Sequence, residues 1–373
     1  MAKRTGLVWH EAYAWYDLGN DAGVVRPDGR SIQPDRHAYD PEIPRRFRNL
    51  LEISELAEKL VHLKPRKATE AEIRRVHTQR HVDQIKQLSA LVTGGESGDF
   101  SPIPHGTFEA ALLAAGGALT ATDAVMNGEI DNAYALLRPA GHHATPQGSM
   151  GFCIFSNAAI AGRHLLETRG LERIAYVDWD VHHGNGTQSA FYDEPRALTI
   201  SIHQDRCFPT DDGFLEQLGE GAAEGTNINI PLPPGSGVDA YCAAYERVII
   251  PALKAFRPDF IFVPSGFDAG AMDPLGRMMM TSEGYRRLTQ KLLAVADEVC
   301  GSRLVFTHEG GYSRWAVPFY GLAVMEELSG VTTGVVDPYL EWHSALGGQA
   351  LLPHQDAVIE TAAANVQRVP RRK

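Results

Sequence analysis

Short apolar, β-leaning runs punctuate the chain at Gly6–Trp9, Ala133–Leu137, Arg173–Val177, Ala197–Ile202, Phe260–Val263 and Arg303–Phe306. Between them lie segments of helical character. Phe108–Met126 is rich in Ala and Leu, Ser156–Thr168 and Tyr241–Phe256 come next, and Ser282–Val299 opens on Thr281 or Ser282 as its cap. Nearer the N-terminus, Pro41–Leu63 and Ala68–Gln87 read as helices joined by a loop around Pro65. Thr93–His105 (TGGESGDFSPIPH) is a Gly/Pro loop of the kind that often rims a site. Strands alternating with helices predict right-handed crossovers and an α/β fold, a largely parallel sheet with helices on both faces. No repeat or linker breaks the pattern, so residues 1–373 are expected to form a single domain.

The polar stretch just after each strand matters more than any one motif. Ala133–Leu137 runs into Arg138-Pro-Ala-Gly-His142-His143, and Arg173–Val177 into Asp178-Trp-Asp180-Val-His182-His183-Gly-Asn185. Phe260–Val263 runs into Pro-Ser-Gly-Phe-Asp268, and Arg303–Phe306 into Thr-His308-Glu309-Gly-Gly-Tyr312. Strand C-termini of an open parallel sheet share one edge, where ligand sites form, so these clusters are expected to converge.

The residue types then suggest chemistry. Asp180 and His182, two apart in an extended segment, would face one metal, with Asp268 as a third ligand. Three protein ligands leave a tetrahedral zinc one open position, the catalytic arrangement. Position alone leaves the pair His142-His143 with two readings, surface histidines in a turn or an acid–base pair oriented by Asp178 and Asn185. Tyr312, after Gly310-Gly311, is either a turn residue or a donor to a developing oxyanion. Phe152 and Phe208 are either core packing or the walls of a narrow slot.

Composition narrows the field. A formal net charge of −11 disfavours nucleic acid and anionic membrane as partners and suits cationic ligands. The 4 cysteines form no CxxC pair, no window reads as a membrane span and no signal peptide is visible, so a cytoplasmic, reducing setting is expected.

The motifs RPAGHHA, GFC, DWDVHHGNGTQ, GFD with DPLGR, and EGGY, in this order and spacing, resemble the histone-deacetylase-like amidohydrolases of the arginase/deacetylase superfamily, nearest the class II branch and its bacterial relatives. The resemblance runs from Gly6 to beyond Glu327 and implies a single α/β domain around a parallel eight-stranded sheet. It implies one zinc on Asp180, His182 and Asp268, with His142 (near Asp178) and His143 (near Asn185) as general acid and base and Tyr312 polarising the carbonyl. It also implies potassium at Asp178, Ser201, Ile202 and the backbone of Asp180 and His182. Substrate contacts would come from Gly151, Phe152, Phe208, Leu275 and Gly311, and from a rim acid, Asp99 or Glu96. The implied substrates are an acetylated lysine peptide or a small acetylamine, with hydroxamate-type inhibitors binding and a homo-oligomer among the possible assemblies. Gly184 and Gly270 occupy the positions where dimanganese relatives carry extra acids, which argues against a second metal. An acetylpolyamine deacetylase and a non-catalytic acyl-lysine binder are the alternatives.

Overall fold

Along each central strand, successive side chains enter opposite cores, as the pleat dictates. Tyr134, Ala175, Val177, Ile261, Val263 and Phe306 fill one core, while Ala133, Ala135, Ile174, Tyr176, Phe262 and Val305 fill the other. A computed structural model, describing residues 3–372, contains the sheet that separates them. Its strands are β1 (Thr5–Val8), β2 (Val61–Leu63), β3 (Asn132–Ala135), β4 (Ile174–Asp178), β5 (Ala197–Gln204), β6 (Asn227–Leu232), β7 (Phe260–Ser265) and β8 (Leu304–His308). All eight are parallel, in the order β2-β1-β3-β8-β7-β4-β5-β6.

Helices cover both faces, as the alternation predicts. α1 (Glu42–Ile53), α7 (Ser282–Cys300), α8 (Val317–Ser329) and α9 (Pro353–Asn365) contribute to the first core, with α6 (Val238–Ala244) and its continuation to Phe256. α2 (Gln79–Ala90), α3 (Thr107–Met126), α4 (Asn157–Thr168) and α5 (Asn185–Phe191) contribute to the second. α3 is long and apolar enough to cross a membrane by length and composition, but 78% of its most apolar window is buried in this fold. Thr281 caps α7 by accepting from Gly284 N at 3.2 Å.

Two strands depart from the sequence expectation. Pro41–Leu63 is not one helix: Ser54 and a left-handed Glu55 (φ 62°) end α1, and Val61–Leu63 pairs as an exposed edge strand. β6, sequence NINIPL, lies at the other edge, where a proline costs the ladder little. Its Ile228 and Ile230 enter the core, while Asn227 and Asn229 both donate to Gln188 Oε1, at 2.8 and 2.9 Å. Ala68–Gln87 likewise divides, into Glu70–Ile73 and α2, with Thr69 and Thr78 each capping a new start.

α3 lies close to the chain before it. A Cβ on Gly116 would stand 1.8 Å from Arg66 O and 2.6 Å from Ala68 N, both backbone atoms. Ala gains about 1 kcal/mol of helix propensity over Gly, but overpacking against a fixed backbone costs about 1–3 kcal/mol. Gly116→Ala is therefore expected to lower stability in chemical denaturation, and a stabilised variant would contradict the packing.

His77 is buried, accepting from Ser156 N at 2.8 Å through Nε2 and bonding Thr145 O at 3.0 Å through Nδ1. Burial, with the neighbouring His81, pushes its pKa down to about 3. The folded value lies below the unfolded one, so its contribution is complete above about pH 6.5 and is lost as pH falls toward 3. His77→Gln, which keeps a donor and an acceptor, is expected to lose less stability between pH 7 and 5 than the parent in paired thermal melts. An equal or larger loss would exclude His77 as a contributor.

Candidate active site

Five neighbouring strands, β3, β8, β7, β4 and β5, send their C-terminal loops to one place. The chain leaves β4 at Asp178 and bends, so Asp180 and His182 lie just beyond the strand rather than in an extended segment. The two side chains nevertheless converge. His182 Nδ1 is 3.1 Å from Asp180 Oδ1 and 3.1 Å from Asp268 Oδ2, with both carboxylates fully buried. The remaining oxygens are engaged by backbone, Asp180 Oδ2 accepting from Gly310 N and Asp268 Oδ1 from Val181 N, each at 2.8 Å.

This clustering is electrostatically costly without a cation. Burial and the charge of Asp180 push Asp268 up to about 6. Burial opposes ionisation of Asp180 too, but the charges of His142 and His182 hold it low. Two carboxylates and an imidazole, with one ligand atom from each within 4.8 Å of the others, make a donor set suited to a borderline divalent ion. The residues fit a metal.

His142 and His143 stand beside this triad, their ring centroids 4.0 Å apart. His142 Nδ1 meets Asp178 Oδ2 at 3.0 Å, and His143 Nδ1 meets Asn185 Oδ1 at 2.8 Å. The surrounding charges separate the two proton affinities. Burial lowers His142, but the charges of Asp180 and Asp178 outweigh it and raise the ring to about 10. Burial and the charges of His142 and His182 drive His143 well below its ordinary value.

A cavity of about 340 Å³ leads to the triad, lined among others by His143, Gly151, Phe152, His182, Phe208, Leu275 and Tyr312. The Tyr312 hydroxyl has no hydrogen-bond partner among the described residues, while its backbone N donates to Asp273 Oδ2 at 2.7 Å. Gly151 has φ +53°, and a Cβ there would stand 2.4 Å from the His143 ring. Gly311 does not line this cavity: it is buried, with φ +124°, beside Phe267. Asp99 borders a neighbouring cavity, and its backbone O accepts from Gly151 N at 2.9 Å. Glu96 is engaged in an ion pair with Arg26. Ser201 is the cross-strand neighbour of Asp178 in the β4–β5 register, and the Ile202 side chain lies in the core.

Glu309 had no role assigned from sequence. Its Oε2 accepts from Gly141 N at 2.7 Å and His142 N at 3.1 Å, so a carboxylate after β8 fixes the histidine loop after β3. Burial lifts its pKa to about 7 against the pull of His142. Its only sequence signal was its place at a strand end beside the Gly pair.

The loops of a parallel sheet thus converge on a buried metal-site candidate. The profile of the histone deacetylase domain matches residues 40–328. The chain is 46% identical over 341 residues to a histone deacetylase-like amidohydrolase of Pseudomonas aeruginosa, covering 91% of this chain and 89% of that protein. It is 39% identical over 327 residues to a probable deacetylase of Archaeoglobus fulgidus, covering 87% and 86%. Among solved structures, the HDA15 HD domain matches with TM-score 0.80 at 29% identity, covering 98% of both chains. The chain belongs to the histone deacetylase family.

Gly310 approaches the triad so closely that a Cβ would lie 2.0 Å from Asp268 Oδ2 and 2.8 Å from Asp180 Oδ2. Gly310→Ala is expected to retain the fold by circular dichroism but lose most of the bound divalent metal by elemental analysis. Parental metal content would place the metal elsewhere.

Proposed function

We propose that the protein hydrolyses the amide bond of acetylated amines, acetyl-lysine side chains foremost, with one zinc ion held by Asp180, His182 and Asp268. The observation that carries this reading is a cavity of about 340 Å³ lined by Phe152 and Phe208 together with His143, His182 and Tyr312. Such a slot suits an extended alkyl chain ending in a small acyl group. Zinc bound there would supply Lewis acidity toward the acetyl carbonyl and acidify water near neutral pH.

The protein's own groups divide the remaining work. His143 faces the cavity, is held neutral and uses Nδ1 toward Asn185, so Nε2 is free to take a proton from the attacking water and return it to the leaving amine. His142 does not line the cavity; held by Asp178 and by Glu309 at its backbone, it places positive charge behind His143. Tyr312 donates its hydroxyl to the carbonyl oxygen as negative charge develops. Asparagine at 185, in place of a carboxylate, leaves His143 with weaker proton affinity than His142. Potassium is expected at Asp178, Ser201 and Ile202 with the backbone of Asp180 and His182, close to the zinc loop. In this reading residues 1–373 act as one catalytic domain, because a single sheet carries the entire site. A reducing cytoplasm suits its four free thiols, Cys153, Cys207, Cys242 and Cys300.

Zinc-loaded protein is expected to release acetate from an acetyl-lysine peptide, to stop on chelation and to recover on zinc addition. Tyr312→Phe should bind zinc normally and lower kcat by on the order of 10²–10³ with little change in KM. Full turnover by that variant would remove the oxyanion role, and chelator-resistant turnover would remove the zinc.

A further inference from the structure

A second cavity, of about 410 Å³, opens beside the slot and shares Val24, Phe100 and Phe152 with it. The shared wall is held under backbone strain. Phe100 and Phe152 both adopt left-handed conformations, φ 51° and 66°, which a bulky side chain rarely takes. Two backbone bonds fix them, Gly151 N to Asp99 O and Phe152 N to Phe100 O, each 2.9 Å. The aromatic partition between the cavities is therefore built rather than incidental.

His37 lines this second cavity and is only 3% exposed. Its Nδ1 accepts from Tyr39 N at 3.0 Å, which puts the ring proton on Nε2. Among the described residues nothing accepts that proton. Burial holds the ring near a pKa of about 4 despite the opposing charge of Asp21, so it is a neutral donor at physiological pH. Asp21 and Asp99 also border the cavity, and neither carboxylate has a hydrogen-bond or ion-pair partner among the described residues. Glu96, the third acid, is matched by Arg26. The cavity thus offers one unpartnered donor on a largely buried ring and two carboxylates without a cationic partner.

We propose that this cavity is a subsite for a residue flanking the acetylated lysine of a peptide, whose backbone carbonyl accepts from His37 Nε2–H and whose cationic side chain lies against Asp21 and Asp99. The proposal rests on the deacetylase reading. A carbonyl matches the unpartnered N–H that His37 presents to the cavity, and a cation matches the two acids, which have no cationic partner among the described residues. An acetylpolyamine meets only the second requirement: beyond its acetyl group it carries ammonium donors alone, which the His37 N–H opposes. A peptide meets both.

The test compares kcat/KM on zinc-loaded protein for four kinds of substrate. They are a capped acetyl-lysine amide, acetyl-lysine peptides with arginine at successive flanking positions, the same peptides with neutral citrulline there, and N-acetylputrescine. At one flanking position the arginine peptide is expected to exceed its citrulline counterpart about fivefold or more, chiefly through KM, with the ratio shrinking at high salt. Asp21→Asn should bring that ratio to within about twofold. His37→Phe should raise KM for both peptides relative to the capped amide, which does not reach the cavity. No arginine preference at any position, or a preference that survives Asp21→Asn, would overturn the subsite while leaving the deacetylase reading in place. N-acetylputrescine outperforming the arginine peptide, with that advantage lost in Asp21→Asn, would overturn the peptide assignment in favour of a polyamine. Silence on every substrate, the capped amide included, would sink the deacetylase reading itself, and the subsite with it.

Discussion

Two carboxylates, Asp180 and Asp268, lie fully buried against one imidazole, and much of the surrounding chain serves to hold them there. Taking an ion out of water costs several kcal/mol even after relaxation. Each acid offsets part of that cost with a backbone N–H from a different loop, Gly310 for Asp180 and Val181 for Asp268. These bonds tie together the loops after β4, β7 and β8. The interactions that make the acids tolerable are also those that aim them, so stability and ligand geometry are set by the same atoms.

The histidine pair is held in a similar way. Glu309 directs its carboxylate to backbone rather than to the imidazoles; it holds Gly141 N and His142 N and so fixes where both rings begin. Asp178 and Asn185 then hold the rings by Nδ1, while the charges of Asp180 and Asp178 raise His142 and burial with the charges of His142 and His182 lowers His143. Two adjacent residues of one type acquire different chemistry because one faces two carboxylates and the other is buried beside two imidazoles. Glycine permits the crowding: a Cβ at Gly266 would lie 2.0 Å from Asp180 Oδ2, and one at Gly184 would lie 2.3 Å from Asp178 Oδ2.

The central strands were legible in the sequence because burial on both faces writes a nearly continuous apolar run. The edge strands were not. β2 is short and exposed, and β6 carries Asn and Pro, residues that argue against a strand unless the partner of the amides is known. Here that partner is Gln188, 39 residues from Asn227 in the chain. The Asp180, His182 and Asp268 constellation was readable from its place at strand ends, although Asp180 and His182 meet across a bend and not along a strand. Glu309 was hidden because its role is to hold backbone, which no motif spacing reveals. The state of the rim acids was equally hidden: Glu96 is occupied only because a loop some 70 residues away brings Arg26 to it.

The site draws on five adjacent strands of an all-parallel sheet, and this shapes how it comes into being. The bond from Gly310 to Asp180 spans 130 residues of chain, and that from Val181 to Asp268 spans 87. Parallel neighbours cannot be joined by hairpins, so every such contact waits on a crossover and on the closure of a long loop. A single βαβ unit, such as β4 with β5 or β7 with β8, registers two of the loops, but no such unit contains Asp180, Asp268 and Gly310 together. The pocket is therefore complete only when these strands are assembled into one sheet. A ligand bound there stabilises only the completed sheet, which makes occupancy of the site a report on the integrity of the whole architecture.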